Sequence, residues 1–217
     1  MIESIRENIL VNKNKDIIDM TRVLITTTYS SESIILAITK LSIERVYLLI
    51  DKKPDDYQKE TIKQITETFG NVIEIIDKKI EVYDFVSIAK TVTDLLDSIS
   101  RKDEIYVNTT PGRKTQSLGL LFGCYSRPKY VKKIFYVPEE SKDMITLPIL
   151  SFDITDSQKE VLDNIEKIDT PAALASEVET SKAMLYRNIK DLMDRGFIEP
   201  KEGQGYKLTD AGKIAKL

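Results

Sequence analysis

Two polar segments hold residues that could do chemistry. Val107 to Gln116 reads Val-Asn-Thr-Thr-Pro-Gly-Arg-Lys-Thr-Gln, after the apolar run Ile105-Tyr106-Val107 and before an apolar helical stretch from Ser117 to Tyr125. A strand, a glycine-containing turn with two cations and a helix start together make an anion site. Amides at a helix N-terminus lack intrahelical partners, the dipole favours negative charge, and glycine permits close backbone approach. Arg113 and Lys114 supply charge, Thr109, Thr110 and Thr115 supply hydroxyls, Asn108 donates and accepts, and Gly112 leaves room. That set suits phosphate oxygens and bases; a turn with solvated cations has the same composition. The second segment is Thr26-Thr27-Thr28-Tyr29-Ser30-Ser31, after the apolar run Val23-Leu24-Ile25. Its hydroxyls suit a ligand, and β-branched threonines equally suit a strand end.

Several chemistries are excluded. A Walker P-loop needs glycine directly before its Lys-Thr pair, where Arg113 stands, and Thr26 to Ser31 lacks a Gly-x-Gly-x-x-Gly. ATP and NAD are therefore poor candidates. The 217 residues include no histidine, which removes the usual general base, the common zinc ligand and any Ser-His or Cys-His nucleophile pair. Cys124 is the only cysteine. It follows Leu120-Leu121-Phe122-Gly123 and reads as a small buried thiol, so neither an internal disulfide nor a cysteine metal cluster is expected. No metal or cofactor is expected either. No apolar run approaches the roughly 20 residues that span a bilayer, and the charged N-terminus has no secretory core. A cytoplasmic chain without membrane contact is the expectation.

The elements that must position these segments follow from apolar patterning. Buried strands are expected at Val23–Ile25, Val46–Ile50, Val72–Ile76, Ile105–Asn108 and Ile134–Val137, with a possible sixth within Ile145–Leu150. Helices are expected at Glu32–Leu41, Pro54–Phe69, Asp84–Ser98 and Ser117–Tyr125. Continuous apolar strands separated by helices mean a parallel sheet covered on both faces. The minimal topology is α/β, a doubly wound, Rossmann-like, mostly parallel sheet in the order 3-2-1-4-5. Ligands bind such sheets outside the carboxyl ends of strands, where the strand order reverses. Here that crevice lies between the exits at Ile25 and Asn108, so the two polar segments would face each other.

From Asp156 onward the pattern changes to short helices: Ser157–Ile168, Pro171–Val178, and Lys182–Arg195 with Ser181 as its cap. A β-hairpin around Phe197-Ile198 and Tyr206-Lys207-Leu208 follows, then a last short helix opened by Thr209 or Asp210. Two domains are expected, 1–152 and 153–217. The net charge is −3, yet Ser181 to Leu217 carries eight cations against five acids, a local basic face that suits a site-selective DNA binder. In the third C-terminal helix Leu185, Ile189 and Leu192 form one buried stripe. Lys182, Ala183, Tyr186, Arg187 and Lys190 lie opposite, as a recognition helix requires. Arg187 could read guanine bidentately or hold a phosphate. Lys201, Gln204 and Lys207 of the hairpin would face the neighbouring backbone or minor groove. A module used only for protein contact or dimerisation has the same pattern.

The Thr/Ser loop after the first strand and the Asn-Thr-Thr-Pro-Gly-Arg-Lys turn after the fourth resemble a CARF domain, the CRISPR-associated Rossmann fold. Thr170 to Leu217 resembles a MarR/ArsR-type winged helix-turn-helix, through Ser181-x5-Arg187, Leu192, Gly196-Phe197-Ile198 and Leu208-Thr209-Asp210-Ala211-Gly212. Together they are similar to CRISPR-associated transcriptional regulators of archaea, which serve antiviral defence. The resemblance implies a homodimer that binds a cyclic oligoadenylate, most often the four-residue ring, in a symmetric pocket, and double-stranded DNA through the winged helix. Thr26, Thr27, Thr28 and Ser30 would line the base and ribose side; Asn108, Thr109, Thr110, Gly112, Arg113 and Lys114 would hold phosphates. Ser181, Lys182, Tyr186, Arg187, Lys190, Lys201, Gln204 and Lys207 would face DNA. It also implies an alternative, a metal-independent ring nuclease using Thr26 or Ser30 with Lys114.

Overall fold

The structure is a computed structural model that describes residues 20–217 except 169, 203 and 204. Gln204 thus lies outside the described residues. The first part alternates β1 (Arg22–Thr27), α1 (Glu32–Leu41), β2 (Arg45–Asp51), α2 (Asp56–Phe69), β3 (Glu74–Ile80), α3 (Phe85–Ser98), β4 (Glu104–Asn108), α4 (Lys114–Ser126) and β5 (Val131–Tyr136), then adds β6 (Ile145–Leu147). Val23 and Ile25 pack on one face of the sheet and Leu24 on the other, the two-residue period of a strand. All three are fully buried because helices cover both faces. Ile88, Val92 and Leu96 of α3 with Leu120 and Cys124 of α4 form one layer. Ile34, Ala37 and Ile38 of α1 with Ile65 of α2 form the other.

The strand order is β3-β2-β1-β4-β5-β6. The first five strands are parallel and β6 runs antiparallel to β5 at the edge. This is a mixed α/β, Rossmann-like, mostly parallel sheet, with the expected reversal between β1 and β4. Two boundaries differ from expectation. β3 occupies Glu74–Ile80 and leaves Val72 outside, 76% exposed. As an edge strand it carries Asp77, Lys78 and Lys79, so it lacks the continuous apolar run of its neighbours. Helix α4 begins at Lys114, three residues before the apolar stretch, with Gln116 of its first turn accepting the Arg113 amide.

The remaining elements are α5 (Asp156–Asn164), α6 (Pro171–Glu177), α7 (Lys182–Asp194), β7 (Ile198–Pro200), β8 (Tyr206–Leu208) and α8 (Asp210–Ala215). Helix α5 stops at Asn164, short of the expected Ile168. Side chains of Thr155, Thr170, Ser181 and Thr209 accept the capping amides of the four helices. These elements close around a third apolar cluster that includes Val161, Leu162, Leu174, Leu185, Ile189, Leu192, Phe197 and Leu208. Ile149 packs with the sheet, whereas Phe152 and Ile154 pack with this third cluster. Helix α8 lies against α3 and α4. At that contact Arg127 grips Asp97 through Nε and Nη2, both at 2.8 Å, and donates from Nη1 to the main-chain oxygen of Leu217 at 2.6 Å.

Candidate functional site

The β1 and β4 exits meet. Thr26 is paired with Asn108 in the sheet, and Thr27 Oγ1 donates to the Pro111 carbonyl. Gly112 has φ +94°, and a Cβ there would stand 2.8 Å from both Thr27 Cβ and Gln116 Oε1. The turn therefore needs glycine twice, for its left-handed backbone and for its contact with β1. It delivers the chain into α4, whose first-turn amides point away from the helix toward the exits.

A buried polar network holds the turn. Asp51, at the β2 exit, accepts from Gln116 Nε2 and from Gln58 Nε2, the latter at 3.4 Å. Gln58 Nε2 also donates to the Thr28 carbonyl at 2.6 Å, and its Oε1 accepts from the Asp51 amide at 3.2 Å. Gln116 Oε1 accepts from the Arg113 amide at 2.8 Å. The exits of β1, β2 and β4 are thus tied through three side chains, all buried. Removing one partner would strand buried donors or acceptors at about 1–3 kcal/mol each. Asp51, Gln58 and Gln116 were absent from the expected site.

The residues that were expected divide into frame and surface. Thr26, Thr27, Thr28 and Asn108 are fully buried, and Thr109 nearly so. Their side chains lie beneath the surface of the exits rather than on it. Thr26 Oγ1 donates to the Thr27 carbonyl at 2.8 Å, and Thr109 Oγ1 to Phe135 at 3.1 Å. Asn108 Nδ2 donates to Ser33 Oγ at 3.2 Å, while its Oδ1 accepts the Thr110 amide at 3.0 Å. These hydroxyls and this amide close the strand ends. Accessible to a ligand are Ser30, Thr110 and Gly112, half-buried, and Arg113 and Lys114, exposed. Arg113 approaches Asp55 at 3.9 Å with both side chains about half exposed, a contact that water and salt weaken.

A cleft of about 510 Å³ opens beside the exits, between α1 and the β5–β6 connection. Ser30 and Thr110 line it together with Ser33, Tyr57, Tyr136 and Lys142. Tyr57 and Tyr136 are 56% and 42% exposed, and Tyr57 lies 4.9 Å from the ring of Tyr29. Exposed rings beside hydroxyls suit a nucleobase, since every base has a face to stack. Lys142 bonds Glu32 of α1 across the mouth and holds that carboxyl below the usual carboxylate range. Arg113 and Lys114 do not line this cleft. Thr26 lies fully buried beneath the exits.

Among the described residues, Thr28 Oγ1 is the one buried side-chain polar atom without a hydrogen-bond partner. A stranded hydroxyl destabilises, so Thr28→Val is expected to raise stability by about 1 kcal/mol, read as a higher urea midpoint. Loss of stability of that size would mean that the hydroxyl has a partner, such as a buried water.

On α7, Ser181, Lys182, Tyr186, Arg187 and Lys190 are all exposed, and Met184 adds an apolar side chain to the same surface. No ion pair engages Lys182, Arg187 or Lys190 among the described residues. Other cations of this segment are occupied. Arg195 bonds Asp191 and the carbonyls of Phe152 and Asp153, and lies over the Phe197 ring. Lys207, expected to face DNA, is paired with Glu199 across the hairpin at 3.0 Å. The basic face is narrower than the count of cations implied.

A doubly wound sheet with a cationic glycine turn at its switch point defines the class, an α/β protein of the Rossmann-like kind. The chain belongs to the family described as "HFX_2341_N:-like, N-terminal", whose model matches residues 12–142, more than half its length. The comparison with curated proteins returns no match. Among solved structures it is similar to Csm6 of Enterococcus italicus bound to cyclic hexa-2′-fluoro-hexa-dAMP. The TM-score is 0.50 at 16% identity, covering 82% of this chain and 55% of that one. Can2 of Sulfobacillus thermosulfidooxidans, solved with cyclic tetra-adenylate, gives 0.49 at 16% identity over 90% of this chain and 61% of that one. The Csm6 likeness shows a shared fold. The chain spans less than two thirds of either structure's length. Among the described residues no helix is long and apolar enough to cross a membrane.

Proposed function

We propose that this chain is a ligand-responsive transcription factor of two domains, 1–152 and 153–217. The first binds a cyclic oligoadenylate, the four-residue ring, at the strand exits. The second is a winged helix-turn-helix that binds double-stranded DNA through α7. The observation that carries the reading is the Gly112–Lys114 turn, seated on the β1 exit at the switch point and presenting two exposed cations at a helix start. Ser30, Thr110 and the tyrosine-lined cleft beside it supply base and ribose contacts, and the resemblance to CARF domains points to the same ligand.

A ring of two-fold symmetry is matched by two copies of one site about a common axis, so the functional unit is a homodimer. Leu118 lies one turn beyond Lys114 on the same face of α4 and is about half exposed, an apolar contact for the second copy. Calorimetric titration of the full chain with cyclic tri-, tetra- and hexa-adenylate tests this. One tetra-adenylate ring per two chains is expected; no heat with any ring, or one ring per chain, overturns the reading.

For the DNA half, Arg187→Ala is expected to weaken binding to a duplex with one half-site by about 1–3 kcal/mol, with relaxed specificity at one base pair. Gel retention on a substituted operator series reads both. Equal loss on every sequence would assign Arg187 to phosphate alone.

A further inference from the structure

We infer that α3 and α4 form a lever that couples the strand-exit site to the C-terminal unit, with Arg127 as its positioning residue. The inference rests on the ligand reading of the strand exits and concerns how occupancy there is felt elsewhere.

Helix α4 begins in the site, at Lys114, and ends at Ser126. Its 13 residues carry a displacement about 20 Å along the molecule. It is welded to α3 along that length. Gly119 and Gly123 face α3, and a Cβ on either would stand 2.6 Å from the Cβ of Ile88 or Val92. The Phe85 and Phe122 rings meet at 6.1 Å, and Thr93 and Ser126 share a hydroxyl hydrogen bond of 2.7 Å. Thr115, in the first turn of α4, also donates to the Val82 carbonyl just before α3, at 2.6 Å. Close-packed interiors transmit displacement rather than absorb it, so the two helices move as one body.

Helix α8 lies against this body, held by a hydrogen-bonded clamp at Arg127 and separated from the start of α3 by a cleft. Arg127 joins the end of α3, through Asp97, to the main chain of Leu217 beyond α8. This two-point grip fixes both orientation and distance. Between the start of α3 and α8 a cleft of about 530 Å³ is lined by Tyr83, Phe85 and Lys90 on one side and by Lys213, Lys216 and Leu217 on the other. A clamp on Leu217 beside a cleft that Leu217 also lines makes a pivot. Movement of the α4 start toward a bound anion would change the cleft and tilt the unit that carries α7.

Hydrogen exchange of the full chain with and without cyclic tetra-adenylate tests this, with calorimetry on the same samples. The ring should change exchange in residues 210–217 about fivefold or more, the lower range of site-to-site coupling. Arg127→Gln and Asp97→Asn should bind the ring as the unsubstituted chain does but lose that response. A purely structural Arg127 would shift exchange equally in both states and leave their ratio intact, which overturns its assigned role. If the ring binds and residues 210–217 do not respond in the unsubstituted chain, the lever is wrong and ring binding stands. Absence of binding heat instead removes the ligand reading, and the lever with it. Asp97→Asn keeps the bond to Leu217, so the test survives if Arg127→Gln does not fold.

Discussion

Gly112→Ala is expected to destabilise the protein by about 2–6 kcal/mol, the sum of two separate effects. At φ +94° an alanine is strained by about 1–3 kcal/mol, which outweighs the smaller gain from a stiffer unfolded chain. Its Cβ would also enter the contact with Thr27 Cβ and Gln116 Oε1, both at 2.8 Å, and overpacking of this kind adds about 1–3 kcal/mol. The second contribution matters for function, because Gln116 holds both Asp51 and the Arg113 amide. A side chain wedged there opens the turn and disconnects the exits of β2 and β4. Gly196→Ala is the control. Gly196 has φ +73° and no neighbour within 4 Å of a built Cβ, so it isolates backbone strain. Urea unfolding of both should show a lower midpoint at unchanged slope, with Gly112→Ala lower. Equal midpoints would mean that the turn is not wedged against β1.

The same region shows what a sequence can and cannot reveal. The exits of β1 and β4 were legible because both strands are buried on two faces and read as continuous apolar runs ending in polar residues. β3 slipped because an edge strand alternates, and Val72 imitates a strand start while facing solvent. The threonines suited both ligand hydroxyls and a strand end, and the sequence alone does not separate the two. Here Thr26, Thr27 and Thr109 bond neighbouring carbonyls. The Asp51–Gln58–Gln116 network was missed because Gln116 lies 65 residues beyond Asp51 in the chain. One signal existed. Gln58 shares the buried stripe of α2 with Thr61 and Ile65, and Gln116 that of α4 with Gly119, Leu120 and Gly123. An amide in a core-facing helical position must find partners. The tyrosines of the cleft had no such signal, because an isolated exposed tyrosine is common.

Lys114→Ala is the second large effect expected, and its size depends on symmetry. A charge-assisted hydrogen bond from an ammonium to a phosphate contributes about 1.5–3 kcal/mol. Lys114 is exposed and unpaired among the described residues, so no internal carboxylate competes for it. In a dimer that shares one ring, a single substitution removes the contact on both sides. The expected loss is therefore about 3–6 kcal/mol, roughly a hundred- to ten-thousand-fold in affinity. The gap should narrow as salt rises, since both contacts lie at the surface. Mixed dimers of one unsubstituted and one Lys114→Ala chain separate symmetry from simple charge loss. They should lose the square root of the full factor if each copy contributes one equal contact to one ring. A mixed dimer in which half the sites bind normally and half do not would mean independent pockets, one in each chain. That outcome would remove the shared ring from the proposal while leaving Lys114 as a phosphate contact.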